Sequence, residues 1–281
     1  MKPAAFHYER PHDIEEALDL LAEHGDEAKL LAGGQSLVPM MNFRLARPAI
    51  IIDIGALAGL NQVTLEGDRL SIGARVRHCE LERPGFAGPL GSLLARAARQ
   101  VGHAPIRFRG TLGGSIAHAD PAAEWCLLVR TLDADVVVAS AREAKRTIAA
   151  TDLFEMTFMT SIADDELLTE VRLPWLTDDW TTGFAEFSRR AGDFAVVAIA
   201  SAVRLDGGRV VEAKIGAAGV GTIPVRLPHA EAAIIGGSLD PADVEMAAEA
   251  ARAEVDPSGD IHGSADYRRD LVRALIRRAL L

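Results

Sequence analysis

Two cysteines, Cys79 and Cys126, are all that the 281 residues contain, and they stand far apart. This chain alone therefore builds no cysteine-ligated iron–sulfur cluster and no structural zinc site; any such cluster must sit on another chain. Positive charge is also short. Thirty lysines and arginines against 40 acids leave a formal net charge of −10, without the basic footprint that binding to nucleic-acid phosphates demands. No apolar run is long enough to cross a bilayer and residues 1–6 carry no apolar h-region, so a cytoplasmic location is expected. Neither Gly-x-Gly-x-x-Gly nor Gly-x-x-x-x-Gly-Lys-Ser/Thr occurs, which leaves out a Rossmann dinucleotide site and a P-loop. The eight histidines include no His-Glu-x-x-His and no clustering with acids, so no metal site is expected. No serine stands in a Gly-x-Ser-x-Gly elbow, and no catalytic nucleophile is assigned.

What remains is the composition of a folded globular protein, 49% hydrophobic and 25% charged, long enough for two domains. Two glycine pairs stand out: Ala32-Gly33-Gly34-Gln35-Ser36-Leu37, and Thr111-Leu112-Gly113-Gly114-Ser115 followed by Asp120-Pro121. Glycine permits φ > 0, so at Gly113 and Gly114 several N–H groups are expected to turn into one concavity that suits phosphate oxygens, with Thr111, Ser115 and Ser36 adding hydroxyls. Facing each other, the two loops would hold a diphosphate without an excess of lysine. Asp120-Pro121 reads as an N-cap before a helix over residues 121–131. Asp120 and Glu124 then share that helix start, as caps or as ligand groups. His118 reads as a surface-loop residue.

Periodicity supplies the frame. A capped helix is expected over residues 11–25, with Asp13 as N-cap and Gly25 as stop, then a strand at 29–32. The unalternating apolar run at 49–54 suggests a strand buried on both faces, which completes a small α/β unit. A hairpin around Glu66-Gly67-Asp68, a helix from Leu90 to Val101 closed by Gly102, an extended approach at 103–108, and strands at 135–140 and 166–173 form a second α/β unit. A third, α+β unit begins near Trp180, with strands at 184–190, 196–205 and 210–218 and helices near 228–235, 241–254 and 267–281. No internal repeat or flexible linker separates the units.

Together the two glycine motifs, with Arg189-Arg190-Ala191-Gly192-Asp193-Phe194-Ala195 and Gly263-Ser264-Ala265-Asp266-Tyr267-Arg268-Arg269, resemble the FAD-binding medium subunits of molybdenum hydroxylases, most of all carbon monoxide dehydrogenase medium chains. The resemblance spans the chain. It implies an α+β protein: a two-subdomain vanillyl-alcohol-oxidase-like (PCMH-type) FAD-binding domain at 1–176, split near residue 55, and a C-terminal α+β domain of the CO dehydrogenase flavoprotein type at 177–281. It also implies a flavin relay that takes electrons from the [2Fe–2S] clusters of a small subunit and passes them to an acceptor. The oxidised substrate would be held on a large molybdenum-cofactor subunit, and the whole would assemble as a dimer of heterotrimers. By the same resemblance Ala32, Gly33, Gly34, Gln35, Ser36, Leu37, Thr111, Gly113, Gly114 and Ser115 hold the diphosphate and Glu124 the ribose region. Gly102, Leu168 and Phe194 lie near the flavin. Position 124 is usually aspartate in the family and position 194 often tyrosine. Two rival expectations are a self-contained flavin reductase of the same superfamily and a flavin-free scaffold subunit.

Overall fold

The structure is a computed structural model that describes residues 1–143 and 145–281. Strands β1 (His7–Glu9), β2 (Ala28–Leu31) and β3 (Ile50–Asp53) form a sheet in the order β1-β3-β2, both pairs parallel. Ile50, Ile51 and Ile52 fill the central strand and are buried, as a parallel strand covered on both faces requires. Helix α1 (Ile14–His24) starts at Asp13, whose carboxylate accepts from Glu16 N–H, and stops at Gly25 with φ 50°. Its Ala17, Leu18 and Leu21 join the cluster that contains Ile50, Ile52 and Ile54. A short helix, α2 (Leu37–Asn42), follows the first glycine loop.

The second unit opens with β4 (Val63–Glu66) and β5 (Arg69–Gly73), the expected hairpin, then α3 (His78–Leu81), α4 (Pro89–Gln100), α5 (Ala104–Arg107), α6 (Leu112–His118) and α7 (Glu124–Thr131). After these come β6 (Asp135–Ala139), β7 (Arg146–Ala149), α8 (Ala150–Leu153), β8 (Phe154–Met156), β9 (Met159–Thr160) and β10 (Leu167–Pro174). Five strands pair antiparallel in the order β4-β5-β10-β6-β7, so this unit is α+β rather than a second parallel unit. Two local expectations fail here. The segment before the second glycine loop is helix α5, not extended, because Pro105 lies in its first turn, where a missing N–H costs nothing. Helix α7 begins at Glu124, not Pro121; Asp120 instead accepts from Ala122 N–H at 2.9 Å in a tight turn. Residues 146–160, left unassigned by periodicity, form β7, α8 and the β8–β9 pair.

The third unit is a sheet of β11 (Trp180–Phe187), β12 (Val197–Asp206), β13 (Arg209–Ala218) and β14 (Val225–Arg226), with helices α9 (Pro228–Ile234), α10 (Pro241–Glu254) and α11 (Ala265–Leu280). Strand β12 has two characters. Val197, Ile199 and Val203 pack in the cluster with the three helices, while Ala198, Ala200 and Ala202 belong to the cluster built by α4 and α7. Alanines on that face let helices of the second unit lie close to the sheet, so the junction is itself core. Asp133 adds ion pairs across it to Lys214 at 2.8 Å and Arg226 at 2.7 Å.

Candidate functional site

The first glycine loop leaves the C-terminal end of parallel strand β2, the end at which open parallel sheets place their ligands. Gly34 takes φ 70°, a left-handed turn. The carbonyls of Gly34 and Ser36 are used, accepting from Val38 and Met40, and Gln35 Nε2 donates to Gly33 O at 3.0 Å. The N–H groups of Gly33, Gly34, Gln35 and Ser36 find no acceptor among the described residues. A row of four such donors is the nest expected for an anion.

The second loop is built differently. Gly113 and Gly114 lie in the first turn of α6, neither has positive φ, and their N–H groups are already taken, by Ala74 O at 2.9 Å and by Thr111 Oγ1 at 3.2 Å. The expected second nest is therefore absent, because Ala74 O and the capping Thr111 Oγ1 accept from the two N–H groups the nest would have used. These glycines serve close approach. A Cβ on Gly113 would stand 2.5 Å from Ala74 Cβ, while one on Gly114 would stand 3.9 Å from Ala32 Cβ. Gly33 completes the contact, since a Cβ there would lie 2.2 Å from Arg109 O. The two loops, remote in sequence, touch. The Ser115 hydroxyl beside them is half-buried.

Helix α7 supports this junction from below. Cys126 Sγ donates to Ser115 O at 3.6 Å, and Trp125 donates to the buried His78. Glu124, the first residue of α7, is 8% exposed; burial and then the charge of Asp120 raise its carboxyl above the ordinary range. Glu186 on β11 is raised by burial and then by Glu124, and its Oε2 is buried without a partner among the described residues. These carboxyls, one from each side of the domain junction, disfavour each other's ionised form. Neither Glu186 nor His78 carries a local sequence signal, because only the fold brings them here.

Gly102 follows α4 with φ 47° and its carbonyl accepts from Arg107 Nη1 at 2.8 Å. The next residue, His103, lies against the turn of the third unit: a Cβ on Gly192, φ 83°, would stand 2.4 Å from its ring. Phe194 extends from that turn with 71% of its surface exposed, which rules out a core role for the ring. The turn that carries Phe194 thus packs against the residue that follows Gly102. Leu168 is 5% exposed within the main core, beside a bulge in β10 where Thr169 O accepts from Ala74, the residue that holds Gly113. His118 lies on α6 rather than in a surface loop, its ring 4.8 Å from that of Phe158. No group of His, Cys, Asp and Glu able to hold a metal occurs among the described residues, and none of their helices is long and apolar enough to cross a membrane.

Residues 4–176 match the family described as the FAD binding domain in molybdopterin dehydrogenase, and residues 182–281 the CO dehydrogenase flavoprotein C-terminal domain. The chain belongs to the FAD-binding medium subunits of the molybdenum hydroxylases. It is 42% identical to the nicotine 6-hydroxylase medium subunit of Paenarthrobacter nicotinovorans, covering all of this chain and 98% of that one. It is 41% identical to the 6-hydroxypseudooxynicotine dehydrogenase complex subunit alpha of the same organism, covering all of this chain and 95% of that one. The solved carbon monoxide dehydrogenase of Hydrogenophaga pseudoflava superposes with a TM-score of 0.94 at 35% identity, covering all of this chain and 97% of the matched one. The chain is therefore an oxidoreductase subunit of a multi-subunit family whose cofactor is FAD. The residues present fit that cofactor: four N–H groups without an acceptor among the described residues line the first loop, and the glycines leave room where a Cβ would fill the space between the loops.

Proposed function

We propose that this chain is the flavin relay of a cytoplasmic molybdenum hydroxylase, organised as a FAD-binding domain at 1–176 with subdomains 1–55 and 56–176 and a C-terminal domain at 177–281. The observation that carries the reading is the contact of the two glycine loops, with a row of N–H groups on the first that have no acceptor among the described residues. On this reading the backbone of Gly33, Gly34, Gln35 and Ser36 binds the diphosphate. Ala32 and Leu37 flank it, and the face of Gly113-Gly114 with Thr111 and the Ser115 hydroxyl closes the other side. Glu124 faces the ribose region, and a carboxyl kept neutral by burial serves there as a hydrogen-bond donor. Gly102 and Phe194 border the flavin, and Leu168 supports it from the core. Bound FAD supplies the step between one-electron clusters and a two-electron acceptor. The chain's own part is to hold it in place and to leave one edge open beside the exposed Phe194.

The partners in this proposal are a small [2Fe–2S] subunit and a large molybdenum-cofactor subunit in a dimer of heterotrimers. The two cysteines, one half-buried and one buried, agree with clusters held elsewhere. The 41% and 42% identities to subunits named for 6-hydroxypseudooxynicotine and nicotine, against 32% to the carbon monoxide dehydrogenase medium chain of Hydrogenophaga pseudoflava, favour a nitrogen heterocycle over carbon monoxide as the complex's substrate. Native mass spectrometry of the protein purified with its co-expressed partners, together with its absorbance spectrum, tests the reading. A flavin spectrum and a mass of two copies of each of three chains are expected; a colourless chain, or a monomer with turnover of its own, overturns it.

A further inference from the structure

The terminal motif containing Arg268 takes no part in the glycine loops, yet its geometry is specific. Ser264 caps α11 by accepting from Tyr267 N–H at 3.2 Å, which places Arg268 in the first turn with 9% of its side chain exposed. Its Nη1 donates to Val196 O at 2.5 Å and to Gly219 O at 2.8 Å, and its Nη2 to Asp260 Oδ2 at 2.7 Å. Val196 immediately precedes β12 and Gly219 immediately follows β13, so one guanidinium joins the ends of two neighbouring strands. Gly219 is left-handed, φ 74°, and a Cβ there would stand 2.4 Å from Val196 O; its N–H donates to Pro121 O at 3.0 Å, in the turn that leads to Glu124. Asp260 is itself oriented by accepting from His262 and Gly263 N–H at 2.8 and 3.0 Å.

We propose that Arg268, oriented by Asp260, is a positioning residue for the flavin site: it fixes the start of β12, which Phe194 precedes, and the end of β13, where Gly219 N–H holds the Pro121 turn. The proposal rests on the reading of Phe194 as a flavin neighbour. An exposed ring is not placed by packing around itself, so its position is inherited from its two anchors, Gly192 against His103 and Val196 beneath Arg268. A guanidinium suits the second anchor because its planar fork reaches two carbonyls and a carboxylate at once, which an ammonium cannot do in the same geometry. Without it, two carbonyls at strand ends lose a charged donor in a buried place.

The test uses the flavin-loaded complex with Arg268→Lys, the milder Asp260→Asn, Phe194→Ala, and the double variant Arg268→Lys with Phe194→Ala. Two readouts are taken: amide hydrogen exchange, and the reoxidation rate and fluorescence of the flavin. Arg268→Lys and Asp260→Asn are expected to raise exchange at residues 194–197 and 219–221 roughly tenfold, the loss of one charge-assisted hydrogen bond, while the middle of β12 and β13 stays protected. They shift reoxidation in the same direction as Phe194→Ala, and Arg268→Lys adds nothing once the ring is gone. Exchange that rises evenly over the third unit overturns the proposal, as does wild-type reoxidation in Arg268→Lys beside an altered Phe194→Ala. A local rise in exchange with Phe194→Ala silent also overturns it, and locates the failure in the flavin contact rather than in the anchor.

Discussion

Trp125 Nε1 donates to His78 Nδ1 at 2.9 Å inside the core, with the two rings 5.9 Å apart and inclined by 25°. Accepting at Nδ1 leaves the neutral imidazole its proton on Nε2, on the side where Gly110 passes so closely that a Cβ would stand 2.6 Å away. His78 N–H also donates to Gly110 O at 3.1 Å. Helix α7 thereby braces the segment that enters Thr111 and the second glycine loop.

Removing the indole donor tests that brace. Trp125→Phe leaves Nδ1 buried and unpaired, a cost of about 1–3 kcal/mol. Both the melting temperature and the affinity for FAD are expected to fall, measured by calorimetry and by flavin titration of the apoprotein. Burial, then the charge of Arg107, lowers the His78 pKa from 6.5 to about 4. A base whose folded pKa is depressed stabilises the fold above its unfolded pKa and loses that contribution as pH falls through the folded one. Stability should therefore decline between pH 6.5 and about 4, and His78→Gln should remove that part of the slope.

The glycine loops separate stability from binding. Gly33→Ala sets a methyl 2.2 Å from a backbone oxygen, so the loops must part, at about 1–3 kcal/mol of overpacking, and flavin is lost as well. Gly114→Ala is tight only against the Thr111 hydroxyl, at 2.9 Å, with Ala32 at ordinary contact distance; the fold persists while FAD occupancy drops. Equal melting temperatures for the two variants, or full FAD occupancy in the Gly33 variant, would contradict this assignment.

Glu124 gives the opposite pH dependence to His78. Burial and then the charge of Asp120 raise its pKa from 4.5 to about 7, so the flavin-free chain loses stability as pH rises from 4.5 through about 7. Glu124→Gln keeps the hydrogen-bonding shape without the charge and should flatten that decline. Melting curves of wild type and variant from pH 5 to 8 measure it, and parallel curves would refute the assignment.

Phe194→Ala separates surface from site. A ring that is 71% exposed contributes little to the core, so the melting temperature should hold to within about 0.5 kcal/mol of stability. Flavin fluorescence and reoxidation by oxygen should change. A large melting loss with unaltered flavin behaviour is the outcome that contradicts it.

Much of the frame was legible along the chain. The Asp13 cap, the unalternating isoleucines of β3, the hairpin around Gly67, and strands β12 and β13 with the helices of the third unit are local patterns. Their periodicity and caps act within a few residues, so they read the same in isolation as in the fold. The four motifs together also carried the family. What local pattern could not decide is how distant pieces share one space. Whether a glycine serves a left-handed turn or the approach of a neighbour depends on what packs against it: Gly34 turns, while Gly113 is helical and Ala74 lies where its side chain would be. Likewise nothing near Glu124, His78 or Arg268 in sequence announces Glu186, Trp125 or Val196 as a partner. Those pairings come from sheet order and from the small alanine face of β12, which set the close approach of the domains. The sequence by itself determined much of the frame, the family and the chemistry available. Tertiary packing decided which N–H groups remain free, which acids are driven neutral and where the exposed ring stands, because burial and distance, not residue type, set the cost of an unpaired donor or an unshielded charge.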